Sequence, residues 1–87
     1  EQQGMGVGYI GRNEEAVEAC DRAISIRPSY ADPWDIKARC LGRLGRYEEA
    51  IEAIDKFIKL APPEYTDRVA AAKKAREQVS GLLLFRR

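Results

Sequence analysis

Glycines, paired carboxylates and two thiols are the groups in this chain whose spacing could carry chemistry. Gly6-Val7-Gly8-Tyr9-Ile10-Gly11 matches the G-x-G-x-x-G spacing of a dinucleotide-binding turn. That turn works when a strand delivers the glycines to a helix N-terminus, whose backbone N–H groups hold the pyrophosphate. Only five residues precede Gly6, and they show no such strand. The segment is read instead as a weak helix, each interior glycine costing about 1 kcal/mol relative to alanine, with Gly11 ending it. Glu14-Glu15 and Glu48-Glu49 put carboxylates together at expected helix starts, where dipole and capping account for them. There is no histidine, which removes the usual proton shuttle and the commonest metal ligand. Ser25, Ser29, Thr66, Ser80, Cys20 and Cys40 are candidate nucleophiles, but no base is recognisable beside any of them. The expectation is no catalytic residue, no metal, no cofactor, no small-molecule substrate and no enzyme.

The elements that would hold these groups are helices. Between Asn13, a candidate N-cap, and Ile26, the residues Ala16, Val17, Cys20, Ala23 and Ile24 trace one apolar stripe, and Arg27-Pro28 ends it. The next helix starts at Asp32-Pro33, with Asp32 able to cap, and carries Trp34, Ala38 and Leu41 on one stripe with Ile36 and Cys40 beside it. Gly45 closes it. From Tyr47 to Leu60, Ala50, Ile51, Ile54, Phe57 and Ile58 point inward, and Glu52 and Lys56 form an expected i,i+4 pair outside. Ala61-Pro62-Pro63 stops that helix. The last, from Glu64 to about Leu84, shows Tyr65, Val69, Ala72, Ala75, Val79 and Leu82 at helical spacing, with Ser80-Gly81 placed to fray or bend it. Both cysteines fall inside helical patterns and read as small core residues; adjacency of their helices allows an approach between them.

Composition sets the outer bounds. Eighty-seven residues make one small domain. The chain opens on Glu1 rather than Met, which suggests a fragment or a processed product. The net charge of +1 gives no global case for a polyanionic partner. The charge is uneven, because residues 65–87 carry two acids against six bases, Arg68, Lys73, Lys74, Arg76, Arg86 and Arg87. Two cysteines are too few for a disulfide framework, and they fit a reducing, cytoplasmic compartment. The apolar run Leu82-Leu83-Leu84-Phe85 is too short to span a bilayer, and no leader is visible.

A shift of 34 residues superposes the chain on itself. Gly8, Gly11, Arg12, Glu14, Glu15, Ala16, Glu18, Ala19, Asp21, Ile24 and Pro28 meet Gly42, Gly45, Arg46, Glu48, Glu49, Ala50, Glu52, Ala53, Asp55, Ile58 and Pro62 as identities. A fixed period of this size marks a solenoid. With Trp34, Ala38, Leu41, Ala50, Ile54 and Pro62 at the pattern positions, residues 31–64 resemble a complete tetratricopeptide repeat. Residues 1–30 resemble a partial one, with Gly4, Val7, Ala16, Cys20, Ala23 and Pro28 at the matching sites.

The resemblance implies an all-α, right-handed α-solenoid of antiparallel helix–turn–helix repeats, about five helices in all, with residues 65–87 as a C-terminal capping helix and tail. Two departures matter. Lys37 stands where the family has Leu, and Phe57 where it has a small Ala. A phenyl ring there needs a thin partner, and the alanines of residues 70–75 offer one. The resemblance also implies an interaction module, a scaffold or adaptor holding a peptide segment of another protein in a concave groove. Its walls would be Asp32, Asp35, Ile36, Arg39, Gly42 and Arg43 on one helix, and Thr66, Val69, Ala70, Lys73 and Arg76 on the capping helix. Arg39, Arg43, Lys73 and Arg76 on one concavity favour an acidic or carboxylate-terminated ligand. The Lys/Asn carboxylate clamp of chaperone-binding members is not carried over, since Glu1, Met5 and Ile36 stand at its positions. Two other readings stay open: self-association into a homodimer through exposed terminal helices, and weak nucleic-acid or anionic-surface binding by the basic C-terminal helix. The latter lacks interleaved aromatics for base stacking.

Overall fold

In the computed structural model, the backbone of residues 5–86 and the side chains of residues 12–84 are described. Among the described residues four α-helices follow one another: α1 (Met5–Ile26), α2 (Asp32–Arg43), α3 (Tyr47–Leu60) and α4 (Thr66–Arg86), with a 3-10 turn at Pro63–Tyr65 before α4. No strand occurs among the described residues. Packing is consecutive, α1 on α2, α2 on α3 and α3 on α4, which is the arrangement of an all-α helical-repeat solenoid.

The core follows the apolar stripes. Leu41 is 1% exposed on α2, and Ala50 and Phe57 are 0% and 1% exposed on α3. Val17, Ala31, Ala38, Cys40, Ala53, Ile54 and Ala72 complete the cluster. The small residues at Ala38, Ala50 and Ala53 let the α2 and α3 axes approach closely, and Leu41 and Phe57 fill what remains. Phe57 stacks on Tyr65 with ring centroids 6.2 Å apart, and Ala72 of α4 closes over the same cluster. The thin face of α4 is narrower than expected. Ala72 is buried and Ala75 half-buried, whereas Ala70 and Ala71 are exposed.

The turn between α2 and α3 needs Gly45, whose φ of 81° lies in the left-handed region that side chains resist. Gly45 N–H donates to the Gly42 carbonyl at 3.2 Å and Arg46 N–H to the Leu41 carbonyl at 2.9 Å. This double closure satisfies carbonyls that a helix end leaves open.

Several local expectations are corrected. Gly11 does not end a helix: residues 5–11 continue into Asn13–Ile26 as one 22-residue α1, so four α-helices stand where about five were expected. Asn13, Glu14 and Glu15 therefore sit inside α1 and cap nothing. Asp32 is the first residue of α2 rather than its cap; the N-cap is Ala31, with no side-chain cap bond. The Asp32 carboxylate is engaged elsewhere. Ser80-Gly81 does not fray α4, which is helical through both. Lys56 forms no ion pair with Glu52 among the described residues and lies 5.9 Å from the Trp34 ring. Lys37, which stands where the family has Leu, is put to use: its ammonium is 2.7 Å from Asp21 on α1 and 5.3 Å from the Trp34 ring. Cys20 and Cys40 are free and buried, and burial, followed by the neighbouring Cys40, pushes the Cys20 thiol up.

Candidate functional site: a groove between α2 and α4

The helical pitch decides which residues of α4 face α2. Positions 68, 72, 75 and 79 recur at i, i+4, i+7 and i+11, one stripe at period 3.6. With Ala38, Gly42 and Ile54 opposite, that stripe forms a groove of about 460 Å³ whose floor is Ala38, Gly42, Ala71, Ala72, Ala75 and Val79. A Cβ placed on Gly42 would meet nothing within 4 Å, so the absent side chain there is open space. Asp35, Arg39, Asp67 and Arg68 make the charged rim.

One end of the groove is locked by a polar cluster. Asp32 accepts hydrogen bonds from the Tyr65 hydroxyl at 2.9 Å, the Tyr30 hydroxyl at 3.0 Å and Arg68 Nη1 at 3.2 Å. Arg68 Nη2 reaches Asp35 Oδ2 at 3.1 Å, and the guanidinium lies 4.3 Å from the Tyr65 ring and 5.3 Å from the Phe57 ring. The forked cation thus bonds two carboxylates of α2 at once while lying over two aromatic rings, a geometry that suits a guanidinium better than an ammonium. Partial burial would raise the Asp32 pKa, but the two hydroxyls and Arg68 outweigh it and hold the carboxyl below its ordinary value. The same bonds push the Tyr65 and Tyr30 hydroxyls up, chiefly by hydrogen bonding to Asp32. The hydrogen bond to Asp35 raises Arg68 further.

The residues named from sequence are distributed as follows. Asp35 and Arg39 line the groove. Arg39 is largely exposed and touches Asp35 only at 3.4 Å. Asp32 holds the polar cluster. Ile36 is 49% exposed and faces a different groove, toward α1. Arg43 and Lys73 are exposed, while Val69 is half-buried against the core. Arg76 turns to α3, its Nε 2.6 Å from Asp55 Oδ1. Of the basic tail, Arg68 and Arg76 are therefore paired, Lys73 and Lys74 are exposed, and the Arg86 and Arg87 side chains lie outside the described residues. Leu82 and Leu84 are exposed; the Phe85 side chain beside them lies outside the described residues. Sequence reasoning missed Arg68, Ala71, Ala75 and Val79 as groove residues. The signal was present, because Arg68 stands one turn before the alanine stripe on its own face.

The glycine triplet that matched a nucleotide turn is helical backbone from Gly6 to Gly11, with no strand before it among the described residues. It does not form the turn that such binding requires. Among the described residues no group of three or more Cys, Asp or Glu is placed to hold a metal. No described helix is long and apolar enough to cross a membrane.

Comparison with curated proteins and with solved structures gave no match. Family models described as tetratricopeptide repeat match residues 8–30 and residues 31–64. These are the two halves related by the 34-residue period, and the second covers the α2–α3 hairpin with its Gly45 turn. The chain belongs to the tetratricopeptide repeat family, whose members typically serve as non-catalytic modules for protein–protein interaction.

Proposed function

We propose that this chain binds a peptide segment of a partner protein in the α2–α4 groove and does no catalysis. The observation that carries this reading is the groove itself, an apolar floor of small residues with unfilled space over Gly42 and a charged rim. Such a site takes a segment that offers apolar side chains to the floor and polar ones to the rim. Arg68 and Arg76 are bound to aspartates of other helices, whereas Arg39 on the rim has only a 3.4 Å contact to Asp35 of its own helix, and Arg43 and Lys73 are exposed beyond the groove lining. An acidic flank on the peptide is the complement those cations favour.

The test is to capture partners with the immobilised chain, map the bound segment on a peptide array, and repeat with substituted chains. Ala71→Trp, at an exposed position of the groove floor, fills the groove from outside the core and should weaken capture roughly tenfold or more with little change in melting. Arg39→Ala with Lys73→Ala should weaken an acidic ligand by about the same factor. Unchanged binding by Ala71→Trp would place the ligand elsewhere. Gly42→Ala separates fold from function: it should stabilise α2 by up to about 1 kcal/mol while narrowing the groove. Improved stability with full binding would show that the floor is not contacted.

A further inference from the structure

A second apolar groove lies on the other side of α2. Ala16, Ala19, Cys20 and Ala23 of α1 line it together with Pro33 and Ile36 of α2, and its volume is about 400 Å³. Carried forward by the 34-residue period, the four α1 positions become Ala50, Ala53, Ile54 and Phe57. Those four are between 0% and 5% exposed because α2 lies across α3 and α4 closes over Phe57. In α1 the same face has Cys20 buried at 7%, Ala16 and Ala23 half-buried and Ala19 exposed, and Ile36 beside it is 49% exposed. The molecule therefore has one repeat whose helix face is fully covered and one whose equivalent face is covered only in part.

The segment equivalent to α2 is residues 1–10, and α1 holds its described part, from Met5, away from that face. A helix that runs straight through residue 11 carries residues 5–10 along its own axis, away from residues 16–23. We propose that this open groove is filled by the N-terminal half of α1 from a second copy, in a symmetric exchange. Two α1 helices laid antiparallel about a dyad between Asn13 and Glu14 place residue 8 across from residue 19, and residue 11 across from residue 16. All four are glycine or alanine, so the axes can approach closely. The same register sets Arg12 across from Glu15, twice by symmetry, and both are exposed in the single chain. Opposite charges meet at the centre and small residues at the flanks. Because each copy gives and receives the same segment, the contact closes at two chains and does not propagate.

Sedimentation equilibrium of the 87-residue chain over a wide concentration range tests this. The expected result is a concentration-dependent dimer. Ala19→Arg sets a charge in the apolar contact and should raise the dimer dissociation constant roughly tenfold or more, with the helical circular dichroism of the dilute chain unchanged. Leu84→Arg, at the far end on α4, should leave association intact. A single species at monomer mass at every concentration overturns the proposal. So does a dimer that survives Ala19→Arg, and so does one abolished by Leu84→Arg alone, which would move the contact to the exposed leucines of α4.

Discussion

Gly-Arg-x-Glu-Glu-Ala occurs twice, at Gly11–Ala16 and at Gly45–Ala50. At Gly45 the chain reverses with φ at 81°, while at Gly11 it runs on as helix. Identical local sequence gives opposite local structure, so the motif permits a turn but does not compel one. What differs is the segment before it. Residues 34–44 bring Trp34, Ala38, Cys40 and Leu41, and closing the hairpin removes Leu41 almost wholly from water. Full burial of a leucine returns about 2 kcal/mol, enough to offset the helical hydrogen bonds given up at a turn. Residues 4–10 hold three glycines, so the same reversal would bury far less side chain per residue ordered. Burial, rather than the turn motif, decides between hairpin and straight helix.

Equivalent substitutions in the two repeats should therefore behave differently. Ala53 is 2% exposed, and Ala53→Arg should cost about 3 kcal/mol or more in urea titration, since it forces bulk and charge into packed helices. Ala19→Arg at the matching place in α1 should change the stability of the dilute chain by about 0.5 kcal/mol at most. Equal losses would mean that the two faces are equally covered and would end the contrast. The glycines should differ in sign. Gly45→Ala forces a left-handed backbone on alanine and should destabilise by about 1 kcal/mol, whereas Gly11→Ala should stabilise α1 by about the same amount. Thermal melts of the two variants decide it, and a stabilising Gly45→Ala would contradict the turn.

The polar cluster gives the smallest effect and sharpens the contrast by pH. Asp32 has a folded-state pKa below its unfolded value, so it contributes stability above the unfolded value that is lost as the pH falls through the lower folded one. Asp32→Asn should lower stability at neutral pH by about 1 kcal/mol and flatten the loss in that acid window. If the variant melts with an unchanged acid limb, the carboxylate is not what joins α2 to α4.

The sequence shows why some of this was legible. Period, proline stops and apolar stripes located α2, α3 and the body of α1 within a residue or two, because each has a stripe long enough to face a partner. The hairpin turn at Gly45 was read correctly for the same reason that its copy at Gly11 was misread: the residues are the same, and the burial that decides between them is tertiary. Groove walls were harder. Arg76 and Val69 share α4 with the wall residues, yet a rotation of about one residue sends them toward α3. Asp32 looked like a cap because aspartate before proline is a good one; Tyr30 is two residues away, but its use by Tyr65 and Arg68 comes from residues 33 and 36 positions away, which no local pattern encodes.

Trp34 is the chain's single tryptophan. Lys37, which is bound to Asp21 on α1, and Lys56 of α3 each hold an ammonium within 6 Å of its ring, and its indole Nε1 is buried without a hydrogen-bond partner. One chromophore thus meets an α2 cation that is tied to α1 and a second cation from α3, and its only donor is shielded from solvent. Its emission colour is an optical gauge of both helix seams at once: loosening either should redden it as water reaches the indole, while Lys37→Met and Lys56→Met would reveal which seam yields first.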